Sequence, residues 1–390
     1  MSIVKLIDIC EKIGSGATPR GGKEAYCDKG VALVRSQNVL DFTFSRDGLA
    51  FISDDQAKKL NNVEVHDNDV LLNITGDSVA RACMMDSSFL PARVNQHVAI
   101  IRGREEHVLN SYILYFLQWR KDYLLQLASA GATRNALTKG MIEQLELNLP
   151  SVDEQKRVVA VLDSLQSKIQ YNQKINDNLQ QQMAALYESW FVKFTPFNGC
   201  CPSDWQEADV YSIADIIYGA PFASKSFNTT GDGKPIIRIR DLKDQQFATY
   251  TTECHPKGYL LQHGDIVVGM DGEFRPYIWA NDEAWLNQRV CVFANKRKYG
   301  KAFLYYTIKP LLYRIEQTQV ATTVIHIGKK DFDAFRLLLP TSDILDQFDE
   351  ITAPMIDRIV SNGLENMRLA EMRNALLPKL MSGELPITAI

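Results

Sequence analysis

From about Asp153 to Trp190 the apolar residues Val158, Leu162, Leu165, Ile169, Leu179, Met183, Leu186 and Trp190 recur at alternating spacings of four and three. That period predicts a long helix that buries one seam against a second helix. Asn172 and Asn176 fill the two central seam positions. Shifted by 190 residues, Phe348, Thr352, Met355, Ile359, Leu369, Arg373, Leu376 and Leu380 occupy the same slots, and Asn362 and Asn366 fall on the asparagines. Paired antiparallel, the two helices would bring the asparagines face to face, where a polar pair costs stability and fixes register. Pro354 interrupts the second pattern. A proline inside a helix costs about 3 kcal/mol, so a break is expected there, with the continuous rod starting near it.

The rest of the chain repeats as well. Buried strands are predicted at Val31–Val34 and at Ile236–Ile239. Asn68-Asp69-Val70-Leu71-Leu72 and His263-Gly264-Asp265-Ile266-Val267-Val268 each read as a turn feeding a buried strand. Val94-Asn95-Gln96-His97-Val98 matches Leu286-Asn287-Gln288-Arg289-Val290, and each precedes a short β-rich run. Helical segments follow at Ser111–Leu127 and Ala302–Gln317, then small-residue loops, Ala130–Thr133 and Val320–Thr323. Each half closes on an apolar strand ending in Leu-Pro, Leu149-Pro150 and Leu339-Pro340. The order is globular unit, long helix, globular unit, long helix. The expected boundaries are 1–150, 151–194, 195–340 (opening with a linker, Thr195–Trp205) and 341–390.

The 390 residues are long for one core. A formal net charge of −4 argues against holding nucleic acid by bulk positive charge, so a polyanion site would be a local basic patch. The seven cysteines, an odd and scattered set, read as reduced thiols, which points to a cytoplasmic protein. No apolar run reaches the ~18 residues that span a bilayer.

Catalytic chemistry is thin. Gly21-Gly22-Lys23-Glu24 lacks the upstream glycine and the following Ser/Thr of a phosphate loop. Glu154-x-Lys156 resembles a fragment of a nuclease metal site, but Asp153 and Glu154 are better explained as charges at a helix N-terminus. Cys254, His255 and His263 lack metal-site spacing. No metal or other cofactor is expected. The chain reads as one that binds rather than reacts.

Two diverged globular units, each followed by a long helix, resemble the specificity subunit of type I restriction–modification systems. Asn95-Gln96, Asn287-Gln288, the two Leu-Pro pairs and Pro202-x-x-Trp205 carry the resemblance, and the tail Leu376-Leu377-Pro378-Lys379-Leu380-Met381-Ser382-Gly383-Glu384-Leu385 is its most specific part. The resemblance implies an α+β fold. Two mixed α/β target recognition domains stand in tandem, separated by two long helices that form an antiparallel coiled coil with pseudo-twofold symmetry. It further implies that each globular unit reads one half of a split, asymmetric sequence in double-stranded DNA. The helices would set the gap and dock two methyltransferase subunits, a restriction (motor-nuclease) subunit would join them, and the chain itself would catalyse nothing. Inserting one helical turn after Ile169, matched after Ile359, is then expected to lengthen the gap.

Base readout needs Arg, Lys, Asn, Gln or small polar groups on loops. In the first unit the candidates are Thr18 and Arg20, then Thr75, Asp77 and Ser78, then Thr133, Arg134 and Asn135, with Arg35, Arg81 and Arg93. In the second they are Ser224, Lys225 and Ser226, then Asp271, Glu273 and Arg275, then Thr322, Thr323 and His326, with Arg238, Arg240 and Arg289. Asn95-Gln96 and Asn287-Gln288 lean towards scaffold. Two other readings remain open: a duplicated protein–protein scaffold that binds no DNA, and an enzyme whose site is dispersed in sequence.

Overall fold

The computed structural model describes residues 2–19, 21, 25–129, 135–296, 300–318 and 326–385. The chain divides into two compact units, one running through Ser167 and resuming at Ala370, the other Lys168–Leu369. Each long helix thus gives its two halves to different units.

In the first unit a four-stranded antiparallel sheet has the order Cys10–Ser15, Val98–Gly103, Val70–Asn73, Ala82–Met84. A second sheet orders Tyr26–Cys27, Ala50–Ile52, Val31–Val34, Ala92–Val94 and Glu64–Val65, and its Val31–Val34/Ala92–Val94 pair runs parallel. Ser2–Lys5 pairs with Glu146–Leu149. Alternation along the strands explains the layering, because successive side chains point to opposite faces. Leu71, Cys83, Val98 and Ile100 pack towards the second sheet. Val70, Leu72, Ala82, Ala99 and Ile101 face Tyr112, Phe116, Leu162 and Leu377. Both faces are covered, so these strands read in sequence as continuous apolar runs.

The second unit repeats the plan, with four strands instead of five in its second sheet. Its first sheet orders Ala214–Tyr218, Val290–Asn295, Ile266–Gly269, Pro276–Ile278. The other orders Phe227–Asn228, Tyr250–Thr251, Lys234–Ile237, Trp285–Leu286, again with one parallel pair, Lys234–Ile237 beside Trp285–Leu286. Gln206–Asp209 pairs with Arg336–Leu339 as Ser2–Lys5 does with Glu146–Leu149. The strand expected to run to Ile239 ends at Ile237, and Ile239–Asp241 turns into a 3-10 helix.

The first long helix is Val152–Tyr187, extended by a π-helical turn at Glu188–Val192. Ser151 and Glu154 form a reciprocal capping box: the Ser151 N–H donates to Glu154 Oε2 at 3.0 Å, and the Glu154 N–H donates to Ser151 Oγ at 3.4 Å. The Ser151 hydroxyl, donating to Glu154 Oε2 at 2.8 Å, and the Ser151 N–H together hold the Glu154 carboxyl below its ordinary range. The segment read as a linker is packed: Trp205 is buried, with ring centroids 5.7, 5.7 and 5.4 Å from Phe191, Phe194 and Phe197.

The second long helix is Ser342–Ser382, unbroken through Pro354, so the expected break is absent. Leu345, Phe348 and Thr352 on one side of the proline are buried, as are Ile356 and Ile359 on the other, while Pro354 itself is exposed. Burying each of those apolar side chains is worth about 1.5–3 kcal/mol, and together they outweigh the ~3 kcal/mol proline penalty. Conversely, the helix expected at Ser111–Leu127 is split into Asn110–Trp119 and Lys121–Ser129. Its counterpart Lys301–Thr318 is continuous despite Pro310.

Within the second unit the long helices pair antiparallel. Asn172 Nδ2 donates to Asn366 Oδ1 at 2.9 Å and to Glu365 Oε2 at 2.7 Å, and Asn362 Nδ2 donates to Asn176 Oδ1 at 2.7 Å. Within the first unit, Arg373 Nη1 donates to Gln166 Oε1 at 2.5 Å, and its guanidinium lies 4.0 Å from the Phe42 ring centroid.

Candidate nucleic-acid interface

The parallel strand pair decides where loops meet, because both chains of such a pair leave the sheet at the same end. In the first unit Asn95 N–H donates to Val34 O at 3.0 Å; in the second Asn287 N–H donates to Ile237 O at 3.2 Å. The turns Arg35–Asn38 and Asn95–His97 therefore emerge together, as do Arg238–Asp241 and Asn287–Arg289. Gly16 and Gly219 lie against them so closely that an added Cβ would fall 1.8 Å from Val94 O or 2.0 Å from Asn287 O. This approach explains why glycine stands at both positions.

A third and a fourth segment join the same end. Ile74 N–H donates to His97 O at 3.0 Å and Leu137 N–H to Ile74 O at 2.8 Å; Met270 N–H donates to Arg289 O at 2.9 Å and Ile327 N–H to Met270 O at 2.9 Å. Thr75 bridges Ala136, and Asp271 bridges His326. Gly76 and Gly272 follow at φ 76° and 79°, in left-handed turns so open that an added Cβ would meet nothing within 4 Å. The two backbone frames match bond for bond.

The side chains on them do not match. In the first unit Thr75 Oγ1 lies 2.6 Å from His97 Nδ1, and Gln96 Nε2 lies 3.2 Å from His97 Nε2. Exposed Asn135 accepts at its carbonyl from Gly76 N–H at 3.2 Å, which places the Thr75–Ser78 turn beside the loop that holds it. In the second unit Asp271 Oδ1 lies 2.6 Å from His326 Nδ1, Asp271 Oδ2 lies 3.7 Å from Arg289 Nε, and Arg289 Nη1 lies 3.2 Å from His326 Nδ1.

The other candidates are distributed unevenly. Thr18 is exposed two residues beyond Gly16; Asp77 is exposed, and Ser78 and Arg81 are half-buried in and after their turn. Ser224–Ser226 is a short 3-10 turn near Ala220, which bridges Asn287; Ser224 and Lys225 are exposed. Arg35 and Arg238 are equivalent: each opens a 3-10 turn and is half-buried. Arg35 lies 5.4 Å from the Tyr26 centroid and donates to Gly48 O; Arg238 lies 5.9 Å from the Phe227 centroid and donates to Thr249 Oγ1. Arg240 and Glu273 are exposed. Arg20, Thr133, Arg134, Thr322 and Thr323 lie outside the described residues, as do Gly22-Lys23-Glu24 and the loops 130–134 and 319–325.

Two arginines are committed to acceptors of their own unit, Arg93 buried and Arg275 half-buried. Arg93 is 6% exposed and donates to Ala57 O, Ala92 O, Asn61 Oδ1 and Glu64 Oε1. Arg275 holds both oxygens of Glu316 and keeps that carboxyl below its ordinary range. One residue escapes the sequence reading: His97 stands at the convergence of loops, and the signal for it was its alignment with Arg289 in the repeated Asn-Gln-His/Arg-Val run. The asparagines of that run are framework, Asn95 Oδ1 accepting from His97 N–H at 3.0 Å and Asn287 being buried, whereas Gln96 and Gln288 are exposed. Among the described residues no three His, Cys, Asp or Glu side chains gather as a metal site, and no helix is long and apolar enough to cross a membrane.

A family model described as type I restriction modification DNA specificity domain matches residues 1–181 and again 202–369. The chain belongs to this family. It is 33% identical over 190 residues to the EcoBI type I restriction enzyme specificity subunit of Escherichia coli, covering 46% of this chain and 39% of that relative. It is 21% identical over 446 residues to the HindI specificity subunit of Haemophilus influenzae, covering 91% of this chain and 94% of that one. Among solved structures, the S subunit of a type I restriction-modification system from M. genitalium matches with a TM-score of 0.54 at 13% identity, over 97% of this chain and 96% of that chain. That likeness is one of fold.

Proposed function

We propose that this chain is the DNA-reading subunit of a type I restriction–modification complex, each globular unit taking one half of a split, asymmetric site. The observation that carries the reading is the pair of matched frames bearing unlike side chains. A reader of two different half-sites needs one backbone architecture twice, with the groups that meet base edges changed. The antiparallel helix pair sets the gap and docks two methyltransferase subunits, and a restriction subunit joins for cleavage; the chemistry belongs to those partners. The complex works on double-stranded DNA in the cytoplasm. With a net charge of −4 on this chain, much of the phosphate contact falls to the docked partners.

The test is a genome-wide map of methylated adenines in a host carrying the methyltransferase partner, with and without this chain. A new motif of two defined halves around a fixed unspecified gap is expected. No new methylation from a complex shown to assemble would overturn the reading in favour of a scaffold.

A further inference from the structure

Arg289 is both held by a carboxylate from another loop and open outward at the convergence of loops, whereas exposed Arg240 pairs only with Asp241 of its own turn, at 3.6 Å. Its side chain is 52% exposed, yet Asp271 Oδ2 sits 3.7 Å from Nε. His326, paired with the same carboxylate, lies 3.2 Å from Nη1. A guanidinium carries five donors in a rigid fork. The Nε edge is turned to Asp271, and no described acceptor meets Nη2. Arg275 is engaged on both sides by Glu316, and Arg238 is half-buried against Thr249.

We propose that Arg289 reads a guanine in the half-site taken by the second unit, with Asp271 and His326 as the positioning residues that aim it. This rests on the function proposed above. Guanine offers two acceptors, O6 and N7, on its major-groove edge, which match two outward guanidinium donors. A phosphate is the other anionic or acceptor-rich partner for such a fork, but Asp271, with exposed Glu273 in the same turn, repels one. The first unit carries His97 with Thr75 and Gln96 at the equivalent place, with no guanidinium among the described residues there, so the two half-sites differ at this position.

The experiment compares adenine-methylation maps for the complete complex carrying the natural chain, R289A and D271N, with folding checked by thermal melting. The natural chain is expected to give a fixed G·C pair in one half. R289A is expected to make that pair degenerate, its preference of roughly 5- to 150-fold falling to near one. Every position of the other half should stay as it was, and D271N should relax the same pair less. Should R289A abolish methylation, R289Q in an assembled complex decides by the same criterion. A motif whose fixed positions all survive R289A or R289Q, or a relaxed position that is A·T, would overturn the assignment. An assembled natural complex that adds no split motif would instead defeat the functional reading beneath it.

Discussion

Asn172 donates from Nδ2 to Asn366 Oδ1 across 2.9 Å, midway along a helix seam that also buries Met183, Phe348 and Ile359. With the Asn362–Asn176 bond at 2.7 Å, this defines the helix register within the second unit: as one residue number rises by four, its partner's falls by four. The same register sets Leu369, not Ile359, opposite Ile169.

The asparagine seam is expected to trade stability for register. Asn172 and Asn362 are 0% and 1% exposed, and the Oδ1 of each is buried without a hydrogen-bond partner. Replacing Asn172 alone by Ala removes the donor to Asn366 Oδ1, while Glu365 keeps Lys168 at 3.2 Å, and should cost about 1–2 kcal/mol in thermal unfolding. Replacing all four asparagines by Leu should raise the melting temperature while letting the helices slip by a heptad. Methylation maps would then show more than one gap length. A melting temperature that does not rise, with one sharp gap, would refute this.

If the helices set the gap, as proposed, lengthening both should widen it. Placing matched insertions after Ile169 and Ile359 would put the asparagines between them out of register. The breaks belong at one level, after Ile169 and after Arg368. Seven residues in each helix keep the seam in phase and add about 10.5 Å, or roughly three base pairs. Methylation mapping should return the same two halves with a gap longer by that amount. An unchanged gap from a complex that still methylates would sink the idea that the helices set it.

Much of this architecture could be read from the chain because its strands and helices carry regular patterns. Val31–Val34 is delimited by four apolar residues between turn residues, and the first long helix by its stripe from Val158 to Trp190. What local pattern could not show was competition from tertiary packing. Pro354 reads as a break until Phe348, Thr352 and Ile356 are known to be buried around it. The candidate site was legible as loops rather than as contacts. Arg93, Arg275 and Arg289 look alike in sequence. Only the partners around them bury the first, lock the second on Glu316 and leave the third facing out, and the carboxylates among them lie 18 to 41 residues away.

The Arg275–Glu316 pair gives the second unit a pH dependence of defined sign. Arg275 hydrogen bonds depress the Glu316 carboxyl in the folded chain. A depressed carboxylate contributes stability that is fully present above its unfolded value, about 4.3, and that is lost as pH falls through the lower folded value. The side chains are 33% and 19% exposed, so solvent screening limits the gain to about 1 kcal/mol. E316Q should therefore melt a few degrees below the natural chain at pH 7, and the difference should narrow on acidification below pH ~4. A difference that grows in acid would contradict the pairing.

Arg93 separates folding from recognition. Its guanidinium sits at the edge of the parallel strand pair, donating to two backbone carbonyls, to Asn61 at 2.9 Å and to Glu64 at 3.2 Å. Glu64 is 45% exposed, so removing the arginine leaves no fully buried charge, but it does take a guanidinium donor from Ala57 O, Ala92 O and Asn61 Oδ1. The expected cost of Arg93→Met is about 2–3 kcal/mol, or a melting temperature lower by roughly 5–10 °C. Below that temperature the methylated motif should keep every fixed base, because no Arg93 donor faces the loops that meet at His97. A variant that melts normally but relaxes a base in the first half would return Arg93 to the recognition surface.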